Sequence, residues 1–305
     1  MNLPPLDEDI VVFRGSHRAC QEFSLVLEAQ SIPYQLIEQD HHWVLAVPSP
    51  LQAMAREELA RYTLERRRPH RFVPPPEPFR GSALGAIAYV IVLLTTAHAA
   101  GAGWFGVDWM DAGDLQRNPA GQWPWWRALT ALTLHLDALH LIGNLLFGVA
   151  AGVIVGRMFG PGVAWAAIIL SAVTANLLEL LMAPAGYRAV GASTAVFAAL
   201  GMLSGYGWGQ QRKLAARWLH RWAPLLAGAS LLALFGAGSE QVTEKVDVLG
   251  HLLGFICGVG MGYLFARNDW PRSRSTGLQW IAGAFVFCAL LIAWFRALWM
   301  APGVP

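Results

Sequence analysis

Polar and apolar positions alternate over the first part of this chain and then give way to long uncharged runs. Ile10-Val11-Val12-Phe13 is a β-branched and aromatic run of the kind that forms a strand. Ser16 stands where a helix N-cap belongs. Ala19, Phe23, Val26 and Leu27 then recur at helical spacing, predicting a helix to about residue 30. Residues 34–37 and 43–47 read as two strands turning at Gln39-Asp40-His41. A second helix follows Pro50, with Leu51, Met54, Leu59 and Tyr62 apolar. The pattern predicts a small α+β unit of order βαββα over residues 1–66. It offers no catalytic constellation, and His41 and His42 read as exposed turn residues.

Residues 67–80 form a basic, proline-rich linker that includes Arg67, Arg68, Arg71 and Pro74-Pro75-Pro76, the composition of a semi-rigid tether. Seven uncharged runs follow, at 81–107, 138–156, 158–178, 189–211, 222–239, 248–266 and 275–295. Each is near the roughly 20 residues that cross a bilayer as a helix. The expected fold is therefore an all-α polytopic helical bundle carrying a small amino-terminal α+β domain.

Composition agrees. Charged residues make up 14% of the chain, against roughly 25% in average soluble proteins. Hydrophobic residues make up 55%, and the mean hydropathy is +0.41. A formal charge of +2 gives no reason to expect a nucleic-acid partner; the lipid bilayer is the expected surroundings. Cys20, Cys257 and Cys288 are too scattered for a disulfide framework or a metal cluster. The first residues have no apolar core, so no cleavable leader is expected and the first span directs insertion.

Basic residues set the orientation. Arg157, then Arg212, Lys213, Arg217 and Arg221, then Arg267, Arg272 and Arg274 fall on the side of the Arg66-to-Arg71 cluster if the spans alternate. The opposite loops carry Asp108, Asp111, Asp114, Asp137, Glu240, Glu244 and Asp247. The positive-inside rule then places the amino terminus in the cytoplasm and the carboxyl terminus outside. The long loop 103–137 holds Trp104, Trp109, Trp123, Trp125 and Trp126, and reads as partly embedded in the outer leaflet.

Under that topology spans two, four and six run from outside to inside, and each carries polar residues just below its outer end. These are His140 and Asn144, Ser193, and His251. Polar groups are expensive at such depth and mark function. A histidine can take the hydroxyl proton of a serine that attacks a carbonyl. Ser193 at a helix start has free backbone amides and a favourable dipole for an oxyanion. His140 and Asn144, four apart, share a helix face and can donate into the same site. Phe197, one turn below Ser193, can pack on the His251 ring. Gly250, Gly254, Gly258 and Gly262 form one small-residue stripe, and Gly191, Ala195 and Ala199 another, so the two helices can approach closely.

Other assignments compete. A metal site from His135, His140 and His251 has no carboxylate and lacks the His-Glu-x-x-His spacing, so no metal or other cofactor is expected. Asp247, a turn before His251, reads as an outer-loop residue, and a dyad is expected in place of a triad. Glu179 is expected to pair with Arg127 or Arg188.

Four pieces together resemble the rhomboid family of intramembrane serine proteases. They are Trp126-Arg127, the run from His135 through His140 to Asn144, Gly191-Ala192-Ser193, and Gly250-His251 with Gly254. Order and spacing match over about residues 80–270. The resemblance implies a six-span core over 81–270, with a seventh span and tail over 271–305. It implies a Ser193–His251 dyad, oxyanion stabilisation by His140, Asn144 and the Ser193 amide, and supporting roles for Trp126, Arg127, Phe197, Gly191, Gly250 and Gly254. It implies transmembrane protein substrates cut in or near the outer leaflet, a cap formed by 237–247 and a lateral gate at span five. The amino-terminal unit is similar to the cytosolic domain of some bacterial rhomboids, so a bacterial inner membrane is the expected location. Thr194, Phe197 and Gly143 depart from the residues common in relatives. Competing functions are a non-catalytic adaptor of the same fold, whose members typically lose the serine or histidine, and a transporter, which would show charges deep in the spans.

Overall fold

A computed structural model describes residues 9–39, 42–67, 77–117, 124–213, 218–236, 247–270 and 275–301. The turn at 40–41, the linker from 68 to 76, Trp123 and the stretch 237–246 lie outside these residues. The chain divides into two units, Met1–Pro75 and Pro76–Pro305.

The first unit runs β1 (Asp9–Gly15), α1 (His17–Ala29), β2 (Gln35–Gln39), β3 (His42–Pro48) and α2 (Gln52–Arg67). Its sheet has the order β1-β3-β2, antiparallel throughout. The most apolar strand is central: Val44, Leu45, Ala46 and Val47 are all buried, while β1 and β2 keep half-exposed edges. Phe23 and Leu27 of α1 and Ala55 and Leu59 of α2 close over Leu45 and Val47. Ser16 caps α1 by accepting the Ala19 amide.

The second unit contains α3 (Ala83–Gly101), α4 (Trp109–Gly113), β4 (Leu115–Gln116), α5 (Arg127–Thr130), α6 (Ala138–Phe159), α7 (Pro161–Met182), β5 (Arg188–Ala189), α8 (Ser193–Lys213), α9 (Trp218–Gly236), α10 (Val248–Arg267) and α11 (Thr276–Trp299). Long helices occupy all seven uncharged runs. Five of them, α3, α6, α7, α10 and α11, are long and apolar enough to cross a membrane. Of the other two, α8 is less apolar for a physical reason. This helix is rich in alanine and glycine, and most of it is buried among other helices. A helix surrounded by protein needs small contacts more than lipid-facing bulk.

The closest packing is between α8 and α10. A Cβ on Gly254 would lie 2.5 Å from the Thr194 carbonyl, and Cβ atoms on Gly258 and Gly262 would collide with the carbonyls of Ala198 and Met202. Gly201 and Gly205 are barred in the same way by Phe255 and Val259. The α10 stripe is the one expected, but its partner differs. The α8 face in contact is Thr194-Ala198-Gly201-Met202-Gly205. Ala195 and Ala199 turn toward Tyr89, Gly148 and Trp165. Because α8 is central it carries small residues on more than one side, and spacing alone did not tell the sides apart.

The seventh long helix, α11, is packed into this unit. Gln279 donates to the Phe159 carbonyl at 3.0 Å and accepts from the Val163 amide at 2.9 Å. It thereby clasps the α6–α7 corner, where Gly160 has φ of +88° and Pro161 opens α7. At its other end Trp294 donates to Thr133 at 3.1 Å and packs on Trp109 with ring centroids 4.5 Å apart and planes tilted by 40°. Gln279→Ala leaves those backbone groups unpaired, so it should cost about 1–3 kcal/mol. The measurement is thermal melting in detergent, with the midpoint expected to fall.

Candidate active site

The loop before α6 and the turn before α8 build the site together. Asp137 caps α6, accepting the His140 amide at 2.8 Å, which fixes the first turn that carries His140. Asn144 lies one turn further on, 6% exposed. The Tyr89 hydroxyl donates to its backbone carbonyl at 2.8 Å, leaving the side-chain Nδ2 buried with no acceptor. Such a donor is costly unless something arrives to use it.

Ser193 is the first residue of α8. Gly191, two residues earlier, has φ of +134°, a conformation natural to glycine. Its amide donates to the Ala131 carbonyl at 2.9 Å, and the Ala192 amide donates to His135 Nε2 at 3.5 Å. A Cβ on Gly191 would lie 2.8 Å from both Cε1 and Nε2 of His140 and 3.4 Å from Ser193 Oγ. His140 and the serine hydroxyl therefore converge on the open side of one glycine.

His251 approaches from α10. Along the α8–α10 contact Thr194 faces Gly254, Ala198 faces Gly258 and Met202 faces Gly262, a constant offset of 60 residues (254 less 194). The helices run parallel, and that offset, extended one turn, puts His251 at the level of Gly191, two residues before Ser193. The imidazole is 6% exposed and lies against Phe197, with centroids 4.6 Å apart and planes tilted by 38°. Gly250 is required for another reason than helix contact: the Asp247 carboxylate folds over it and accepts its amide at 2.8 Å.

His135, named above as a candidate metal ligand, instead accepts from this turn, a contact that spacing did not disclose. Burial, and next the proximity of His140, hold its imidazole down to about 4 from the ordinary 6.5. The unfolded chain takes up a proton near 6.5 that the folded chain refuses until about 4. The stability contributed by neutral His135 is thus intact above that window and lost as pH falls through it. The melting temperature should drop between those pH values, and His135→Asn should flatten the dependence.

Trp126 and Arg127 brace the loop. Arg127 donates to the Asp114 carbonyl at 2.9 Å, to its Oδ1 at 2.6 Å and to the Asp111 carbonyl at 2.7 Å. Arg188 pairs with Asp114 and, at 3.1 Å, with Asp111. The Arg296 guanidinium lies over the Trp126 ring at 5.3 Å. The expected pairing of Glu179 with Arg127 or Arg188 is therefore wrong. Both arginines are taken by Asp114 and Asp111, which the short β4–β5 pairing brings within reach, and Glu179 Oε1 instead accepts from the Tyr187 hydroxyl at 2.6 Å.

The family model described as the rhomboid domain matches residues 122–268, which include His140, Asn144, Ser193 and His251. These residues form a rhomboid domain. It is 30% identical over 173 residues to Rhomboid-like protease 3 of Toxoplasma gondii, covering 55% of this chain and 60% of that protein. It is 28% identical over 180 residues to Rhomboid protease GluP of Bacillus subtilis, covering 59% and 33%. RHOMBOID-like protein 1 of Arabidopsis thaliana is 31% identical over 144 residues, covering 46% and 34%. The chain thus spans between about a third and three-fifths of the length of these relatives. Together with its apolar helices, this domain makes the chain an integral multi-pass membrane protein.

Proposed function

We propose that this rhomboid-domain protein is a serine endopeptidase that cleaves transmembrane segments of membrane proteins with Ser193 and His251 as a dyad. The observation that carries the reading is the convergence of His140 and Ser193 Oγ on Gly191, with His251 level with them on the adjoining helix. Ser193 Oγ attacks the scissile carbonyl carbon while His251 takes its proton. Negative charge on the carbonyl oxygen is met by the Ser193 amide at the start of α8, by His140 and by the unpaired Asn144 amide. Collapse breaks the C–N bond, and His251 returns the proton to the leaving amine. Water, deprotonated by His251, then releases the acyl group and restores Ser193.

The distribution of arginines supports an amino terminus on the cytoplasmic side and a site in the outer leaflet. A substrate helix would enter beside α9, which packs chiefly on α8 and more lightly on α10. The test is incubation of the purified protein in liposomes with a single-span reporter, alongside a fluorophosphonate probe. Cleavage and labelling at Ser193 are expected. A protein that neither cuts nor labels would sink the reading and favour a non-catalytic binder of membrane helices.

A further inference from the structure

Glu179 is 0% exposed, near the carboxyl end of α7, and the mechanism above does not use it. Its Oε1 accepts from Tyr187, while Oε2 is buried with no donor. The Asp247 carboxyl is a neighbour of both Glu179 and Tyr187. Asp247 is the N-cap of α10, and its backbone carbonyl accepts the His251 amide at 3.1 Å. Two carboxyl groups side by side need a donor between them, and Oε2 is the oxygen left without one. One turn earlier on α7, Asn176 donates to the Ala128 carbonyl at 2.8 Å, so this end of α7 is itself tied to α5.

We propose that Glu179, buried, and the half-buried Tyr187 and Asp247 form a polar anchor that fixes the first turn of α10 and thereby sets His251 against Ser193. Glu179 is in this view a positioning residue. The inference rests on the dyad reading and adds to it what holds the base in register. The Asp247 side chain also lines a small cavity with Asn176, Gly191 and Thr194, so the anchor adjoins the turn that presents the serine.

The test compares full-length wild type, Glu179→Ala and Glu179→Gln in liposomes. Glutamine keeps an acceptor for Tyr187 and supplies a permanent donor to Asp247. A misplaced catalytic group costs turnover, so Glu179→Ala should lower kcat about tenfold or more, with KM within about twofold. Glu179→Gln should stay within about threefold of wild type. Amide exchange at residues 248–252 should quicken in the alanine variant and return to normal in the glutamine variant. Tyr187→Phe, a milder change, should lower kcat part of the way and serves if Glu179→Ala does not fold. Equal kcat and exchange in all variants, or equal losses in the alanine and glutamine variants, would overturn the anchor. If wild type neither cuts nor labels, the dyad reading has failed. Exchange then decides the anchor alone, with quickening reversed by glutamine supporting it and unchanged exchange overturning it.

Discussion

Ser193→Ala is expected to abolish reporter cleavage, lowering kcat by at least about a thousandfold, and His251→Ala to do nearly the same. The two groups act in one proton transfer, so the double variant should be no slower than the worse single one. That non-additivity separates a dyad from two independent contributions to folding. Ser193→Ala removes only an oxygen from a half-exposed position at the start of α8, so its melting temperature should stay close to wild type. His251→Ala opens space beside Phe197, and some loss of stability should accompany its loss of activity. Fluorophosphonate labelling refines the result. Without the base the probe should react slowly at Ser193, and without the serine it should not react there. Cleavage that survives Ser193→Ala would end the assignment.

Much of this arrangement was legible because membranes simplify the code. Uncharged runs of fixed length can hardly be anything but spanning helices, and polar residues within them stand out. Ser193, His140, Asn144 and His251 stand out that way as candidates, and the expected contact between Phe197 and His251 is present. Pairings set by tertiary approach were not legible. Glu179 looked like a partner for an arginine because its neighbours in space, Tyr187 and Asp247, stand far apart in sequence on either side of α8. The small-residue face of α8 was misjudged because alanine and glycine are frequent all round that helix. The contribution of α11 was hidden because Gln279 and Trp294 act through backbone groups and ring faces that leave no spacing signature.

Gly191→Ala tests the site's geometry with a single methyl group, and its effect on turnover should be second only to loss of the dyad. The residue has φ of +134°, where a side chain costs of order 1–3 kcal/mol of backbone strain. The added carbon would also press on His140 at 2.8 Å, too close for a real Cβ contact. Relief can come by turning the backbone, which breaks the bond from the Gly191 amide to Ala131 and shifts Ser193. It can otherwise come by displacing His140 from the space where the oxyanion forms. Either way one donor or the nucleophile leaves its place, and losing one oxyanion donor costs on the order of a hundredfold in kcat. Gly143→Ala is the matched control. It stands beside Asn144 on α6, a Cβ there meets nothing within 4 Å, and alanine favours the helix. That variant should keep wild-type turnover and melt no lower than wild type. If Gly191→Ala were as active as Gly143→Ala, His140 and Ser193 could not be meeting at that glycine during catalysis, and the oxyanion assignment of His140 would fall while the Ser193–His251 pair stood.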